Sequence, residues 1–298
     1  MTTDNTDGTD KKSVLSVKSV VSGSEIPSIL YAPAQIPGLS FGARNGNLRR
    51  MAQTSASDSR PCEVILALDV PGRAEAEAFL ARIGGDLRWV KIGLQLFVRE
   101  GPGLVDAIAQ RGHKIFLDLK LHDIPNTVAS AIRSLRGRPC DMLTIHAAGG
   151  GEMLRQAVAA ARETNPALRL LAVTVLTSLD DAALAETGVS GSAAAQVDRL
   201  AGLALQAGVP GLICSPMELP ALRAKFGRSP LLVTPGVRPT GADVGDQKRA
   251  LTPREAAAAG ADYIVVGRPL LQAADPRAAL AAIRAEMGGW RRNGFWWR

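Results

Sequence analysis

The sequence predicts an α/β fold, a single-domain (β/α)8 TIM barrel behind a disordered N-terminal extension, on three observations. From Cys62 onward, eight short β-branched or Leu-rich runs recur, each closing on polar residues. Ala-rich stretches with apolar residues at helical period follow these runs. The first run ends Leu68-Asp69-Val70-Pro71-Gly72, without the Gly-rich phosphate loop that an open doubly wound sheet needs at this point. Near-continuous apolar strands separated by helices mean parallel pairing with both faces buried. Eight such units between residues 61 and 287 make the count of a closed barrel.

Taken in order, the first strand is read at Val64–Asp69, with a helical pattern at Ala74–Ile83 after it. Trp89–Gly93 is the second strand, followed by a helix at Leu104–Ala109, and Lys114–Lys120 the third, followed by Val128–Leu135. Met142–His146 leads to the helix Met153–Ala161, and Leu170–Thr174 to the helix Ala194–Ala207. Gly211–Ser215, Leu231–Pro235 and Tyr263–Gly267 complete the strands, and Ala278–Met287 is the closing helix. Gly288-Gly289 then ends that helix, because glycine accepts the left-handed backbone that helix termini favour.

Outside this regular region the chain changes character. Residues 1–60 are rich in Ser, Thr, Asn, Gly and Pro, with no sustained hydrophobic period, and are expected to be disordered or weakly structured. Met51, just before the first strand, is a candidate start of a shorter product. The barrel domain is expected to span residues 61–287. Residues 288–298 form a basic tail carrying Trp290, Trp296 and Trp297.

Composition narrows the functional classes. Apolar residues are 46% and charged residues 21% of the 298, ordinary for a globular chain that buries its own core. Aromatics are only 4%, which favours helices alternating with strands over an all-β fold. The net charge of +7 lies largely in the peripheral stretches Lys11 to Arg50 and Arg291 to Arg298, so no nucleic-acid partner is expected. There is no apolar run of membrane-spanning length, and Asp4, Asp7 and Asp10 precede any lysine, unlike a secretory signal. Cys62, Cys140 and Cys214 lack CxxC spacing and read as buried thiols of a cytoplasmic protein.

In such barrels the reactive groups stand at the C-terminal ends of the strands. Those ends carry Asp69, Lys91, Asp118 with Lys120 and Asp123, His146, Thr177, Arg238 and Arg268. Asp118 and Lys120, two apart on a strand, are expected to point together into the barrel mouth. A structural salt bridge explains one such pair, but Lys91 and Asp69 in the same mouth make an alternating array whose members hold each other ionised. Arg238 and Arg268, after strands seven and eight, suit a phosphate, with Gly236 and Gly267 allowing close backbone approach. The stretch from Arg238 to Lys248 reads as a lid. His113, His122 and His146 are not spaced as a metal set, so no metal is expected, and His113 is read as a surface residue.

The run Asp118-x-Lys120-x-x-Asp123-Ile124-Pro125-x-Thr127 resembles the orotidine 5′-phosphate decarboxylase family. The resemblance extends from Glu63 to Met287, through Leu66-Ala67-Leu68-Asp69, Val90-Lys91-Ile92-Gly93, Thr234-Pro235-Gly236-Val237-Arg238-Pro239, Asp246-Gln247-Lys248 and Val265-Val266-Gly267-Arg268-Pro269. It implies a cofactor-free conversion of orotidine 5′-phosphate to UMP within a homodimer. Lys120, Asp118, Asp123 and Lys91 would be catalytic. Asp69 would bind a ribose hydroxyl, and Thr177 the pyrimidine. Arg238, Gln247, Gly267 and Arg268 would hold the phosphate. Asp123 and Thr127 would come from the neighbouring subunit. Two rivals stay open at this point: a metal-dependent decarboxylase or synthase on the same array, and a catalytically silent phosphate-ligand binder.

Overall fold

The computed structural model describes residues 61–239 and 251–288. Expectations for residues 1–60, for Gln247 and most of the lid read from Arg238 to Lys248, and for the tail beyond residue 288 lie outside these described residues. The eight strands are β1 (Glu63–Ala67), β2 (Trp89–Gly93), β3 (Lys114–Leu121), β4 (Met142–His146), β5 (Arg169–Val173), β6 (Gly211–Ile213), β7 (Leu231–Thr234) and β8 (Tyr263–Val266). Every neighbouring pair is parallel, and β8 pairs back onto β1, so the sheet closes as expected.

Around the barrel stand α1 (Arg73–Ile83), α2 (Leu94–Glu100), α3 (Pro102–Gln110), α4 (Pro125–Arg133), α5 (Gly150–Thr164) and α6 (Asp181–Glu186). The ring continues with α7 (Ala193–Gln206), α8 (Leu219–Phe226), α9 (Pro253–Ala258), α10 (Arg268–Leu271) and α11 (Pro276–Glu286). The helices seen in the sequence are all present, with ends within three residues of those read. The short α2, α6, α8, α9 and α10 were not read, because one or two turns give too few residues for a period to show. Several are fixed by local chemistry instead. Thr252 and Glu255 cap α9 reciprocally, and the Asp275 carboxylate accepts from two backbone N–H groups at the start of α11.

The two-residue period of each strand divides the core. Outward-facing residues such as Val64, Leu66, Val90, Ile92, Ile115 and Leu117 pack under the helices. Inward-facing residues fill the barrel itself: Ile65, Trp89, Phe116, Met142, Leu171, Leu231, Val233, Tyr263 and Val265. At the floor, Trp89 and Tyr263 meet edge to face at 5.4 Å, with the Arg169 guanidinium 5.1 Å above the indole. Gly211 is the inward residue of β6 at this level. A Cβ there would stand 2.6 Å from Leu171 and 3.0 Å from Leu231, so the neighbours already occupy the space of a side chain.

One expectation is corrected. His113 is buried, not on the surface, and its Nδ1 lies 2.8 Å from the Leu87 carbonyl oxygen. Burial pulls its pKa down, the carbonyl opposes that, and the nearby Arg111 charge lowers it further. A neutral ring whose Nδ1–H donates to one main-chain oxygen can be buried at little cost, a context the sequence around it does not advertise.

Candidate active site

The inward columns of the barrel change character as they rise. On β1 the column reads Ile65, Ala67 and then Asp69; on β2, Trp89 and then Lys91; on β3, Phe116 and then Asp118. An apolar floor thus gives way, two residues later on each strand, to ionisable groups at the C-terminal mouth. There a cavity of about 500 Å³ opens, within the size range of small-molecule sites.

One wall of this cavity is charged. The Lys91 ammonium lies 3.1 Å from Asp69 Oδ1 and 3.5 Å from Asp118 Oδ2. Lys120 Nζ lies 2.8 Å from Asp118 Oδ1. The order Asp69, Lys91, Asp118, Lys120 therefore alternates in sign, as expected. Lys91 is buried and Asp118 nearly so, whereas Asp69 and Lys120 reach further toward solvent. Gly93 leaves room for this wall, since a Cβ there would stand 3.0 Å from Lys91 Nζ and 3.1 Å from Asp69 Oδ1.

The route by which Asp118 and Lys120 meet differs from the sequence expectation. A regular strand would place them in one inward column. Instead β3 bulges away from β4 between Leu117 and Leu121, and Lys120 takes a left-handed backbone with φ 49°. Bulges of this kind gather at active sites because they re-aim a side chain. Here the bulge folds the lysine back beside the carboxylate.

Burial acts to raise the Asp118 pKa, but the charges of Lys91 and Lys120 oppose it. Hydrogen bonds from Lys120 and Thr144 add to those charges, and the carboxyl ends below the ordinary aspartate value. A depressed folded-state pKa contributes stability that is fully present above the unfolded value, near pH 4, and is lost as pH falls through the folded one. Asp118→Asn is therefore expected to lack one component of the acid-side loss of stability seen in the wild type. That component is about 1.4 kcal/mol for each unit of depression. Unfolding midpoints measured from pH 6 to pH 2 check this, and identical acid profiles for the two proteins refute it.

Apolar side chains of Val173, Val175, Leu176, Ile213 and Val265 form another part of the lining. The sequence reading missed these residues as site components, although they continue the inward columns of β5, β6 and β8. Thr177 lines the cavity after β5. At the rim, Gly236, Arg238, Gly267 and Arg268 also line it, gathering two guanidinium groups near the ends of β7 and β8. Arg238 is buried and tied to the loop backbone: its N–H donates to the Leu251 carbonyl, and its guanidinium donates to the Val237 carbonyl at 3.0 Å. Gly236 has φ 78°, a left-handed turn that suits glycine at this bend.

Of the expected site residues, Asp69, Lys91, Asp118, Lys120, Thr177, Arg238, Gly267 and Arg268 come together in one cavity. Asp123 and Thr127 do not line it. Both are exposed, Thr127 in the first turn of α4 and Asp123 just before it, where its Oδ1 accepts the Ile124 N–H at 2.6 Å. His146, at the end of β4, stacks on His122 with ring centroids 5.2 Å apart. Burial, the His122 ring and the Lys120 charge lower the His146 pKa, with Asp118 acting against them.

Comparison with known proteins extends this picture. The sequence profile of the orotidine 5′-phosphate decarboxylase / HUMPS family matches residues 63–283. An orotidine 5′-phosphate decarboxylase of Anaeromyxobacter sp. (strain K) is 54% identical over 227 residues, covering 76% of this chain and 99% of the relative. One from Thermobifida fusca is 51% identical over 225 residues, covering 75% of this chain and 95% of the relative. Among solved structures, the orotidine 5′-phosphate decarboxylase of Lactobacillus acidophilus superposes with TM-score 0.68 at 38% identity, covering 76% of this chain and all of that one.

Proposed function

The chain belongs to the orotidine 5′-phosphate decarboxylase / HUMPS family, and on that premise we propose the part each residue of the cavity plays. It is a carboxy-lyase of pyrimidine biosynthesis, converting orotidine 5′-phosphate to UMP and CO2. The observation that carries the mechanistic reading is the alternating array Asp69–Lys91–Asp118–Lys120 in a cavity partly lined by apolar side chains, with Arg238 and Arg268 at the rim.

The apolar lining and Thr177 take the pyrimidine, Asp69 with Lys91 takes the ribose, and Arg238, Gly267 and Arg268 take the phosphate, joined by Gln247. The bond between C6 and the carboxylate carbon breaks, CO2 leaves, and the electron pair remains on C6. That carbanion lacks an electron sink within the ring. A fixed ammonium beside it stabilises the charge as it develops, without reorganisation, and Lys120 then donates its proton to C6. Asp118, between two lysines, holds both in place and lies near the departing group. Contacts to the distant phosphate strengthen transition-state binding.

Asp123 and Thr127 enter the site of a partner subunit in this reading. Three exposed apolar side chains support a second copy at this face. Ile124, 67% exposed, sits next to Asp123, while Leu94 and Val98, the latter 79% exposed, lie on α2 after the adjoining strand. Three free thiols, each with its pKa pushed up to about 12 chiefly by burial, fit a reducing, cytoplasmic setting.

The direct test follows the loss of orotidine 5′-phosphate absorbance with purified full-length protein, in the presence and absence of excess chelator. Turnover to UMP is expected at one rate in both conditions. Loss of activity on chelation supports instead a metal-dependent reaction on the same array, and binding without turnover supports the silent barrel.

A further inference from the structure

The reaction assigned to Lys120 demands that its amine arrive at one place, yet the strand that carries it leaves the ladder there. β3 and β4 pair at Leu117↔Leu143 and again at Leu121↔Ile145. Asp118, Leu119 and Lys120 thus stand on one strand against Thr144 alone on the other. A lysine with φ 49° is strained and persists only when its surroundings hold it.

Thr144 is completely buried, and its hydroxyl uses both of its bonding capacities inside the bulge. Its oxygen accepts the Lys120 backbone N–H at 2.8 Å, so the bulged backbone finds its partner in a side chain. It donates in turn to Asp118 Oδ1 at 3.1 Å, the same oxygen that receives the Lys120 ammonium. One side chain therefore grips the backbone of the lysine and the carboxylate that orients its amine.

We infer that Thr144 is a positioning residue for the decarboxylation: its hydroxyl locks the left-handed backbone of Lys120 and turns the Asp118 carboxylate toward the two lysines. Valine at this position keeps the shape and loses both hydrogen bonds. Serine keeps both and loses a methyl group. The inference rests on Lys120 being the proton donor, which turnover by the wild type and its loss in Lys120→Ala test separately.

The experiment compares Thr144→Val and Thr144→Ser with the wild type for kcat, KM, UMP affinity and the pH dependence of kcat. Thr144→Val is expected to lose roughly 10- to 100-fold in kcat, since a displacement of about 1 Å carries that cost, while KM and UMP affinity change less than about threefold. Asp118 is faced by Lys91 from β2, Lys120 from its own strand and His146 from the end of β4. Without the Thr144 bond its protonation is expected at higher pH, moving the acid limb of kcat upward. Thr144→Ser should restore kcat to within about threefold of the wild type and return the acid limb.

Wild-type kcat in Thr144→Val overturns the inference, as does an equal loss in the serine variant. If Thr144→Val does not fold, Thr144→Ala is measured in its place with the same expectation. Failure of both to fold also overturns it, because the hydroxyl then serves the fold and not the lysine.

Discussion

Lys120→Ala is expected to lower kcat by at least about ten-thousand-fold, because the residue combines stabilisation of a developing charge with proton transfer. That loss corresponds to about 5.4 kcal/mol of transition-state stabilisation. The binding face is otherwise untouched: Lys91 remains 3.5 Å from Asp118, and Arg238 and Arg268 remain at the rim. UMP affinity should therefore stay within a few-fold of the wild type, a pattern that separates lost chemistry from a damaged cavity. Lys120→Arg is expected to fail as well, since a guanidinium keeps its charge but does not give up a proton near neutral pH. A Lys120→Ala protein that turns over at the wild-type rate refutes the proposed mechanism.

The second large effect concerns Asp123, which is exposed and absent from the cavity of its own chain. If it acts across a subunit interface, Asp123→Ala and Lys120→Ala dimers are each nearly inactive, yet mixing them creates new sites. Random exchange makes half of the dimers mixed. Each mixed dimer has one site carrying both defects and one carrying neither. About one quarter of wild-type activity should thus return after equimolar mixing, as the arithmetic of a two-fold dimer requires. If Asp123 served its own chain, every site in the mixed dimer would keep one defect and nothing would return. No recovery, with subunit exchange verified by differently tagged chains, rules out the shared site.

Much of the site could be read from the chain because the barrel obeys a simple period. Residues two apart on a strand share a face, so the step from Trp89 to Lys91, or from Phe116 to Asp118, places a charge directly above an apolar plug. Arg238 and Arg268 were legible for a related reason, since each follows a strand whose end must face the mouth. The period fails where the backbone departs from it. Nothing in Asp118-Leu119-Lys120 announces a left-handed lysine, because the bulge is imposed by pairing with β4, far away in sequence. For the same reason Thr144 looked like one more strand residue, although its hydroxyl reaches into β3. His113 was misjudged because the Leu87 carbonyl that satisfies it lies in a different strand-and-helix unit. The apolar lining was overlooked because Val173, Ile213 and Val265 look like any other core positions until the cavity beside them is seen.

The bulge in β3 also sets a limit on redesign. Removing two residues so that β3 matched β4 one for one would yield a more regular sheet, of the kind that idealised backbones favour. It would also erase the offset that brings Lys120 back over Asp118, since four steps along β3 span only two along β4. Stability and activity thus compete within one short stretch of strand, and an engineer seeking a hardier barrel has the helices and the floor to work on, with this irregularity left alone.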